Sequence, residues 1–279
     1  MCGADRFLIE CGEGTVRQMS VAHQGLQKVS FIWLSHSHIE HYLGLAGFLR
    51  CLDLISRNVS ISVFTNRETI DCVNDLVRLC NLTSVTVHTH IAENGLFYES
   101  NQYAFQAFPL RHSVLSHALI VQEKPSHSFD IEKAVKLGVP EGPERKKLTS
   151  GQSIILENGR VIQPGDISGP VRPGRRFVYV SDTEVFDSLV DICRDADLLV
   201  CEATYSERNR EQARRFQHLT ARDAALLARD AQVRSLVLTH ISPQEVPSDM
   251  EAEARSVFPA TMVAEDYTWF DLPRRAVGE

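Results

Sequence analysis

The feature that most constrains this chain is the run His-Ser-His-Ile-Glu-His at residues 36–41. It follows the apolar run from Val29 to Leu34, which predicts a buried strand, and precedes a segment whose apolar spacing predicts a helix. Imidazole nitrogens and carboxylate oxygens are ligands that zinc prefers. The sequence therefore predicts a metal site in the loop after this strand, and a polar loop without a metal is the alternative.

Composition predicts a folded cytoplasmic protein with no membrane span. Hydrophobic residues make up 43% of the 279 residues, and no apolar run approaches the roughly 18 residues that a membrane helix needs. The seven cysteines include no Cys-x-x-Cys pair, which favours reduced thiols over a disulfide framework or a cysteine-rich zinc finger. The net charge of −7 by itself argues against nucleic acid, and we expect no DNA partner.

One segment, residues 123–176, departs from this acidic background. It contains ten Lys or Arg and seven Asp or Glu, so its net charge is +3, and frequent Pro and Gly predict an inserted arm or long loop. Within it we predict a short helix over Phe129–Leu137 and a hairpin of Ser153–Glu157 and Arg160–Ile162 with a two-residue turn at Asn158-Gly159. A basic insert suits a polyanion, although a solvated arm with ordinary lysines explains the charge equally well.

Outside this segment, short apolar strands alternate with helices, which indicates sheets covered by helices. The predicted strands are Arg6–Glu10, Phe31–Leu34, Ser60–Phe64, Val85–His88, Tyr103–Phe108, 117–122, Phe177–Ser181, Leu198–Cys201, Ser235–Thr239 and Thr261–Ala264. The predicted helices are Leu43–Ile55, Arg67–Cys80, Glu184–Arg194, Thr220–Ala231 and Asp249–Val257. Thr220 and Asp223 match a capping box at the start of one of them.

Three of these strands lead into a residue that can bind a metal, namely His112, Asp182 and His240. Strand ends at one edge of a sheet converge, so these residues can share a cleft with the histidine run. Taken singly, each is better explained as a structural loop residue, and Asp182 as the cap of the next helix. Together with residues 36–41 they supply five His and two carboxylates, enough for two metals that share one carboxylate.

With these ligand-type residues in this order, the chain resembles the ribonuclease Z group of the metallo-β-lactamase superfamily, the tRNA 3′-processing endoribonucleases. The matching segments, from about residue 6 to 243, are CGEGTVRQ at 11–18, LSHSHIEHYLGLAGFL at 34–49, RHSV at 111–114, FDIEKAVKLGVPEGP at 129–143, SDTE at 181–184, ADLLVCEATY at 196–205, HLTARDAA at 218–225 and LVLTHISP at 236–243. The resemblance implies one α/β domain over residues 1–279 with the metallo-β-lactamase fold, a four-layer αβ/βα sandwich with an inserted flexible arm.

The resemblance also implies the site. One zinc ion is expected on His36, His38 and His112, a second on Glu40, His41 and His240, and Asp182 bridges them; the same ligands also take Mn²⁺. His218 is implied as the proton donor, Glu202 as the carboxylate that orients it, and Glu40 as a catalytic residue beside the attacking water. The expected reaction is attack of a metal-activated hydroxide on precursor tRNA, which leaves a 3′-hydroxyl on the tRNA.

The arm is implied as the tRNA-binding element. Its motif Gly142-Pro143 is followed directly by Arg145, Lys146 and Lys147, which we expect to contact backbone phosphates. The resemblance further implies a homodimer in which the arm of one subunit serves the active site of the other.

Several positions depart from the group's pattern. Glutamate stands at Glu40 and Glu10 where the group usually has aspartate, and Glu10 is expected to support the metal ligands. The group normally begins some 20–30 residues earlier, so either Met1 is not the true start or the N-terminal strands are incomplete, as we expect. Two alternatives therefore stay open: another metallo-hydrolase of this fold, such as a phosphodiesterase of smaller substrates, and a catalytically weakened tRNA-binding paralogue.

Overall fold

Strands and helices alternate along the residues that the computed structural model describes, which are 6–56 and 58–273. The strands are β1 (Arg6–Ile9), β2 (Val29–Trp33), β3 (Val59–Thr65), β4 (Val85–Ile91), β5 (Gly95–Glu99), β6 (Tyr103–Pro109), β7 (His117–Glu123), β8 (Ser126–Phe129), β9 (Ile154–Ile155), β10 (Val161–Ile162), β11 (Ser168–Arg172), β12 (Arg176–Val180), β13 (Leu198–Glu202), β14 (Leu236–Thr239) and β15 (Thr261–Val263). The helices are α1 (Thr15–Val21), α2 (Gly44–Ile55), α3 (Thr69–Cys80), α4 (Ile131–Lys136), α5 (Pro143–Thr149), α6 (Leu189–Cys193), α7 (Arg210–Phe216), α8 (Ala221–Asp230) and α9 (Pro247–Arg255).

These elements form two compact units. Of the described residues, those up to Gln122 and Arg176–Asp271 form the first unit, which we call the body. Glu123–Arg175 and residues 272–273 form the second, which we call the arm. The seven residues expected to bind metal all belong to the body.

Two sheets form the centre of the body. The first has four parallel strands in the order β1-β2-β3-β4, and the second has seven in the order β15-β14-β13-β12-β7-β6-β5. Successive side chains of a strand point to opposite faces of its sheet. In β2, Phe31 and Trp33 therefore enter the core between the sheets, where Phe31 packs 5.0 Å from the Phe105 ring, while Ile32 faces the helices.

Helices cover the outer face of each sheet. On the first sheet, the apolar face of α2 buries Leu45, Phe48 and Leu49. On the second, α8 places small residues such as Ala224 and Ala228 against the sheet. The order of layers is thus helix, sheet, sheet, helix, and the predicted four-layer sandwich is confirmed.

Strand direction brings the polar strand ends together. Strands β12, β13 and β14 are parallel neighbours, so their carboxyl ends lie at the same edge of the second sheet. Asp182, Glu202 and His240 stand at or just beyond these ends. This edge carries the site described below.

The predicted helix Glu184–Arg194 is wrong at its start, because α6 begins only at Leu189. The N–H of Thr183 donates to Glu202 Oε1 at 2.9 Å, and the N–H of Glu184 donates to the carbonyl of Arg111 at 2.8 Å. These bonds tie the segment to other elements instead of to a helical turn. Asp182 is therefore not a helix cap.

The arm has its own small core, formed by residues such as Ala134, Leu148, Ile154 and Ile162. The predicted helix corresponds to α4, whose N-cap Asp130 accepts the N–H of Lys133 at 3.0 Å. The predicted hairpin is present as β9 and β10.

The two-residue turn predicted for this hairpin is wrong. Ile155 pairs with Val161, and the N–H of Leu156 donates to the carbonyl of Arg160, so residues 157–159 form a three-residue loop. Gly159 has a φ of 80°, the left-handed conformation that such loops place at this position.

Three sequence-based expectations concern the N-terminal strands, membrane-spanning helices and the cysteines. Strand β1 lies at one edge of the first sheet, and the prediction of incomplete N-terminal strands stays a prediction. Among the described residues, no helix has the length and apolar character required to cross a bilayer. The six cysteines in this part of the chain are free thiols, and Cys2 lies outside it.

Candidate metal centre

The loop after β2 places its histidines through close backbone contacts. A Cβ on Gly44 would lie 1.8 Å from the carbonyl oxygen of Gly12, so only glycine fits there. The N–H of Cys11 donates to the carbonyl of His41 at 2.9 Å. The loop is thus packed tightly against the segment after β1, and His36 and His41 are buried.

Four imidazoles surround one carboxylate oxygen, Oδ2 of Asp182. The distances from Oδ2 to the Nε2 atoms are 3.7 Å for His36, 3.6 Å for His41, 3.9 Å for His112 and 3.5 Å for His240. The fifth imidazole, His38, joins the group through Nδ1, which lies 3.3 Å from Nε2 of His112. Histidines from three separate segments thus converge on Asp182, as predicted from the strand ends.

Most of these imidazoles are oriented by a contact at the opposite nitrogen. The Nδ1 atom of His36 lies 2.8 Å from Ser35 Oγ, that of His112 lies 3.1 Å from the carbonyl oxygen of Gln217, and that of His240 lies 2.9 Å from Thr204 Oγ1. In each case Nε2 is left to face Asp182. Such contacts are how proteins fix the tautomer and orientation of metal-binding histidines.

Glu10 lies near Nδ1 of His41, at a distance longer than a hydrogen bond. Its Oε1 lies 3.6 Å from Nδ1 of His41, and its Oε2 accepts the N–H of Ser35 at 3.4 Å. Glu10 holds these contacts with a φ of 61°, a conformation that is costly for a residue with a Cβ. The placement agrees with the supporting role expected for this residue.

The donor atoms fit a divalent metal. Three of them, His36 Nε2, His41 Nε2 and Asp182 Oδ1, are buried without a hydrogen-bond partner among the described residues. Such an atom costs about 1–3 kcal/mol when nothing binds it. Bound divalent cations would satisfy these atoms, and the nitrogen and oxygen donors suit zinc.

The possible ligands form three groups, and within each group the ligand atoms lie within 4.8 Å of one another. The groups are His36, His38, His112 and Asp182; His41, Asp182 and His240; and Glu202, His218 and His240. The first two groups share Asp182 and match the two ligand sets implied by the resemblance, apart from Glu40, whereas the third contains the residues expected as the proton donor and its carboxylate. The residues thus support divalent metal binding, and the number and identity of the ions belong to the proposal below.

Burial and charge set the protonation of these groups. Burial, with help from His41 nearby, lowers the pKa of His36, and burial also lowers the pKa of His112. Burial alone would lower the pKa of His41 too, but the carboxylates of Asp182 and Glu10 outweigh it and raise that pKa. His36 and His112 are therefore neutral at physiological pH, the form in which imidazole binds a metal.

A second polar group lies beside the metal ligands. Nδ1 of His218 lies 3.0 Å from Oε1 of the buried Glu202, and the hydroxyl of Thr204 donates to the other oxygen, Oε2, at 2.8 Å. Burial lowers the pKa of His218, but the hydrogen bond and charge of Glu202 outweigh it and raise the pKa. The pair predicted from the sequence is thus in contact.

Thr204 is a site residue that the sequence reasoning missed. Its Oγ1 lies 3.1 Å from Nδ1 of His218 and 2.9 Å from Nδ1 of His240, so it links the pair of His218 and Glu202 to His240. The only signal was its place in the matching segment ADLLVCEATY at 196–205. Ser35 was missed in the same way, because a serine next to a histidine carries no special pattern.

Glu40 is placed differently from the other expected ligands. It is exposed, lies in the short turn Ile39–His41, and does not belong to either group of converging donors. Its roles as a metal ligand and as a catalytic residue stay predictions.

We expect Glu40→Ala to lower the rate of the expected RNA cleavage more than the metal content of the protein. His41, Asp182 and His240 would already supply three donors to a bound ion, so the exposed carboxylate of Glu40 would add less to metal affinity than to positioning of the attacking water. Metal analysis together with kcat measures both effects. If Glu40→Ala cleaves as fast as the unaltered protein, Glu40 has no catalytic role. The matched control is Glu13→Ala, because Glu13 is also an exposed glutamate.

In the arm, the five expected tRNA-binding residues lie at the start of α5. Gly142 has a φ of 109° and Pro143 opens the helix. Lys146 and Lys147 are exposed, whereas Arg145 is largely buried: it donates to Glu141 at 3.2 Å and its guanidinium lies 6.0 Å from the centroid of the Phe129 ring.

Comparison with known proteins shows the fold. The family model of the β-lactamase superfamily domain matches residues 157–241. The crystal structure of the short form of human tRNase Z aligns with a TM-score of 0.68 at 22% identity, over 98% of this chain and 90% of that one. A metallo-β-lactamase fold protein from Bacillus subtilis, YhfI, aligns with a TM-score of 0.66 at 16% identity, over 95% of this chain and 87% of that one. The predicted metallo-β-lactamase fold is confirmed.

Relatives of higher identity show the family. Ribonuclease Z of Myxococcus xanthus is 37% identical over 278 residues, covering 98% of this chain and 90% of that protein. Ribonuclease Z of Haloferax volcanii is 37% identical over 277 residues, covering 96% of this chain and 86% of that protein. With this identity over nearly its whole length, and with a divalent-metal site at the expected strand ends, the chain belongs to the ribonuclease Z family of metal-dependent hydrolases.

Proposed function

We propose that this protein is a zinc-dependent endoribonuclease that removes the 3′ trailer from precursor tRNA and leaves a 3′-hydroxyl on the tRNA. The observation that carries the proposal is the pair of ligand groups that share Asp182, with the His218–Glu202 pair beside them. Two Zn²⁺ ions would be held, one by His36, His38, His112 and Asp182 and the other by His41, Asp182 and His240 with Glu40. Mn²⁺ suits the same donors.

Bound at these donors, divalent ions stabilise the negative charge that develops on phosphate oxygens and acidify a water molecule. The protein contributes the geometry. Asp182 lies against both ligand groups, and the contacts of Ser35, Gln217 and Thr204 hold the imidazoles of His36, His112 and His240 in one orientation. Residues held in this way lose little entropy when the substrate reacts.

His218 supplies the proton for the leaving group. When water attacks phosphorus and the bond from phosphorus to the ribose 3′-oxygen breaks, that oxygen departs with a negative charge. Nδ1 of His218 is engaged by Glu202 and Thr204, so Nε2 is the atom that donates its proton to the departing oxygen. Glu202 stabilises the protonated imidazole before the transfer.

The direct test is cleavage of a precursor tRNA with a short 3′ trailer. We expect a tRNA product ending in a 3′-hydroxyl, no product after removal of metal with a chelator, and recovery on addition of Zn²⁺ or Mn²⁺. A chain that binds zinc and tRNA yet yields no product would contradict the proposal and favour the weakened tRNA-binding paralogue. Hydrolysis of a small phosphodiester without cleavage of precursor tRNA would favour the other alternative.

We propose that the arm binds the tRNA backbone mainly through Lys146 and Lys147. Replacing both with glutamine should raise KM for precursor tRNA and reduce the slope of log KM against log salt by about 1–2, because two phosphate contacts are lost. Lys136→Gln, on the exposed surface of α4 in the same unit, is the matched control and should change neither quantity.

Arg145→Ala separates this account from one in which all three basic residues bind phosphate. Arg145 is held by Glu141 and Phe129, so its loss should destabilise the arm rather than change the salt slope by a full phosphate contact. A salt slope unaffected by the Lys146 and Lys147 substitutions would contradict the assigned contacts.

We further propose that the protein works as a homodimer in the cytoplasm, with precursor tRNA and not DNA as its partner. The support is membership of the ribonuclease Z family. Sedimentation of the purified chain tests the dimer, and competition of tRNA binding by duplex DNA tests the partner.

A further inference from the structure

A cleft of about 550 Å³ in the body is lined by the metal-ligand residue His112. Loop 110–115 forms one wall, and Glu68, Glu184 and Gln217 complete the lining. The volume lies within the range of about 300–1,000 Å³ that is usual for pockets binding small ligands. A nucleotide bound there would lie directly next to the metal centre.

The wall formed by loop 110–115 is held in place from the turn after β3. The buried Asn66 donates from Nδ2 to the carbonyl of Leu115 at 2.7 Å and to the carbonyl of Ser35 at 2.9 Å. Oε2 of Glu68 accepts the N–H of Leu115 at 3.1 Å. Asn66 therefore positions both the cleft wall and the loop that carries His36. Because one residue holds both, the cleft lies at a fixed distance from the expected metal ligands.

The opposite side of the loop is tied to the segment after β12. The N–H of Arg111 donates to Thr183 Oγ1 at 3.1 Å, and the carbonyl of Arg111 accepts the N–H of Glu184 at 2.8 Å. The guanidinium of Arg111 lies 5.1 Å from the centroid of the Phe186 ring. This contact holds one face of the guanidinium, and the side chain is otherwise exposed.

The charges in the cleft suit a base better than a phosphate. Its described lining carries the carboxylates of Glu68 and Glu184 against the single guanidinium of Arg111, which disfavours a run of phosphates. Carboxylates accept hydrogen bonds from the amino and imino groups of bases, and an arginine plane stacks on a base. A base with an amino group satisfies these carboxylates, whereas uracil presents two carbonyl oxygens beside its one N–H.

We infer that this cleft binds the base of a nucleotide flanking the scissile phosphate, with Arg111 stacking on it and Glu184 selecting bases that carry an amino group. The inference rests on the proposed function, since it assumes that the substrate is RNA. It makes Arg111 and Glu184 specificity-determining residues, which neither bind metal nor transfer a proton.

The test uses precursor tRNAs that differ only in the nucleotides on either side of the cleavage point. The unaltered protein should cleave those with cytidine, adenosine or guanosine about 10-fold more efficiently than uridine at one of these two positions. Glu184→Gln should bring this ratio of kcat/KM values close to 1, because an amide can also donate to a carbonyl. Glu265→Gln, an exposed glutamate that does not line the cleft, should keep the ratio unchanged.

Arg111 is tested by two substitutions. Arg111→Ala should raise KM for the precursor, and Arg111→Lys should raise it as much, since lysine keeps the charge but has no plane for stacking. Full rescue by lysine would overturn the inference in favour of a phosphate contact. A base preference that survives Glu184→Gln would also overturn the inference about the cleft. In that case the proposed function would still stand, because the precursors are cleaved. If no precursor is cleaved at all, the proposed function itself is refuted.

Discussion

Asp182→Asn is expected to abolish tight binding of metal at both ligand groups and to lower kcat/KM for precursor tRNA by at least about 10³-fold. The substitution keeps the size of the side chain but removes the one negative charge that both groups share. Metal ions at such a site contribute several kcal/mol to stabilising the transition state, which corresponds to that loss in rate. Metal content after gel filtration and single-turnover cleavage measure the two effects.

The matched control is Asp187→Asn, an exposed aspartate in the same segment between β12 and α6. It should retain metal and activity. An Asp182→Asn protein that holds two ions per chain and cleaves at the original rate would show that Asp182 does not bridge the two sites.

His218→Ala is expected to lower kcat by about 10²–10⁴-fold, the usual contribution of a general acid, while metal content stays the same. His218 contacts Glu202 and Thr204 and lies outside the two groups of possible ligands that contain Asp182. This separation of rate from metal binding distinguishes a proton donor from a ligand. Loss of metal together with activity would assign His218 to the metal site instead.

The pH dependence gives a second test of the same pair. The imidazole must be protonated to act as an acid, so kcat should fall as the pH rises through its pKa, which Glu202 raises against the effect of burial. Glu202→Gln removes that charge, lowers the pKa and should move the falling limb to lower pH. Glutamine is the right substitution because Glu202 also accepts the N–H groups of Thr183 and Thr204. A falling limb that does not move would exclude this pairing.

Much of the fold was predictable because the apolar runs are short and end in polar residues. The bounds predicted for β2, β12 and β14 lie within two residues of those observed. The capping box predicted at the start of α8 is present. The boundaries failed where distant contacts compete with local preference. The start of α6 is the clearest case, since the N–H groups of Thr183 and Glu184 bond to Glu202 and Arg111 rather than to a helical turn.

The sequence by itself determined which residues can bind metal and that strand ends would collect them, since residue chemistry and strand periodicity are local properties. Only the tertiary structure decided that four imidazoles surround Asp182, that Thr204 joins His218 to His240, and that Glu40 is exposed. The physical reason is that a hydrogen bond or a shared ligand depends on distances of a few tenths of an ångström between segments far apart in the chain. Those distances are set by the packing of the two sheets and by buried residues such as Asn66. No local sequence pattern marks Asn66 as a residue that positions the site.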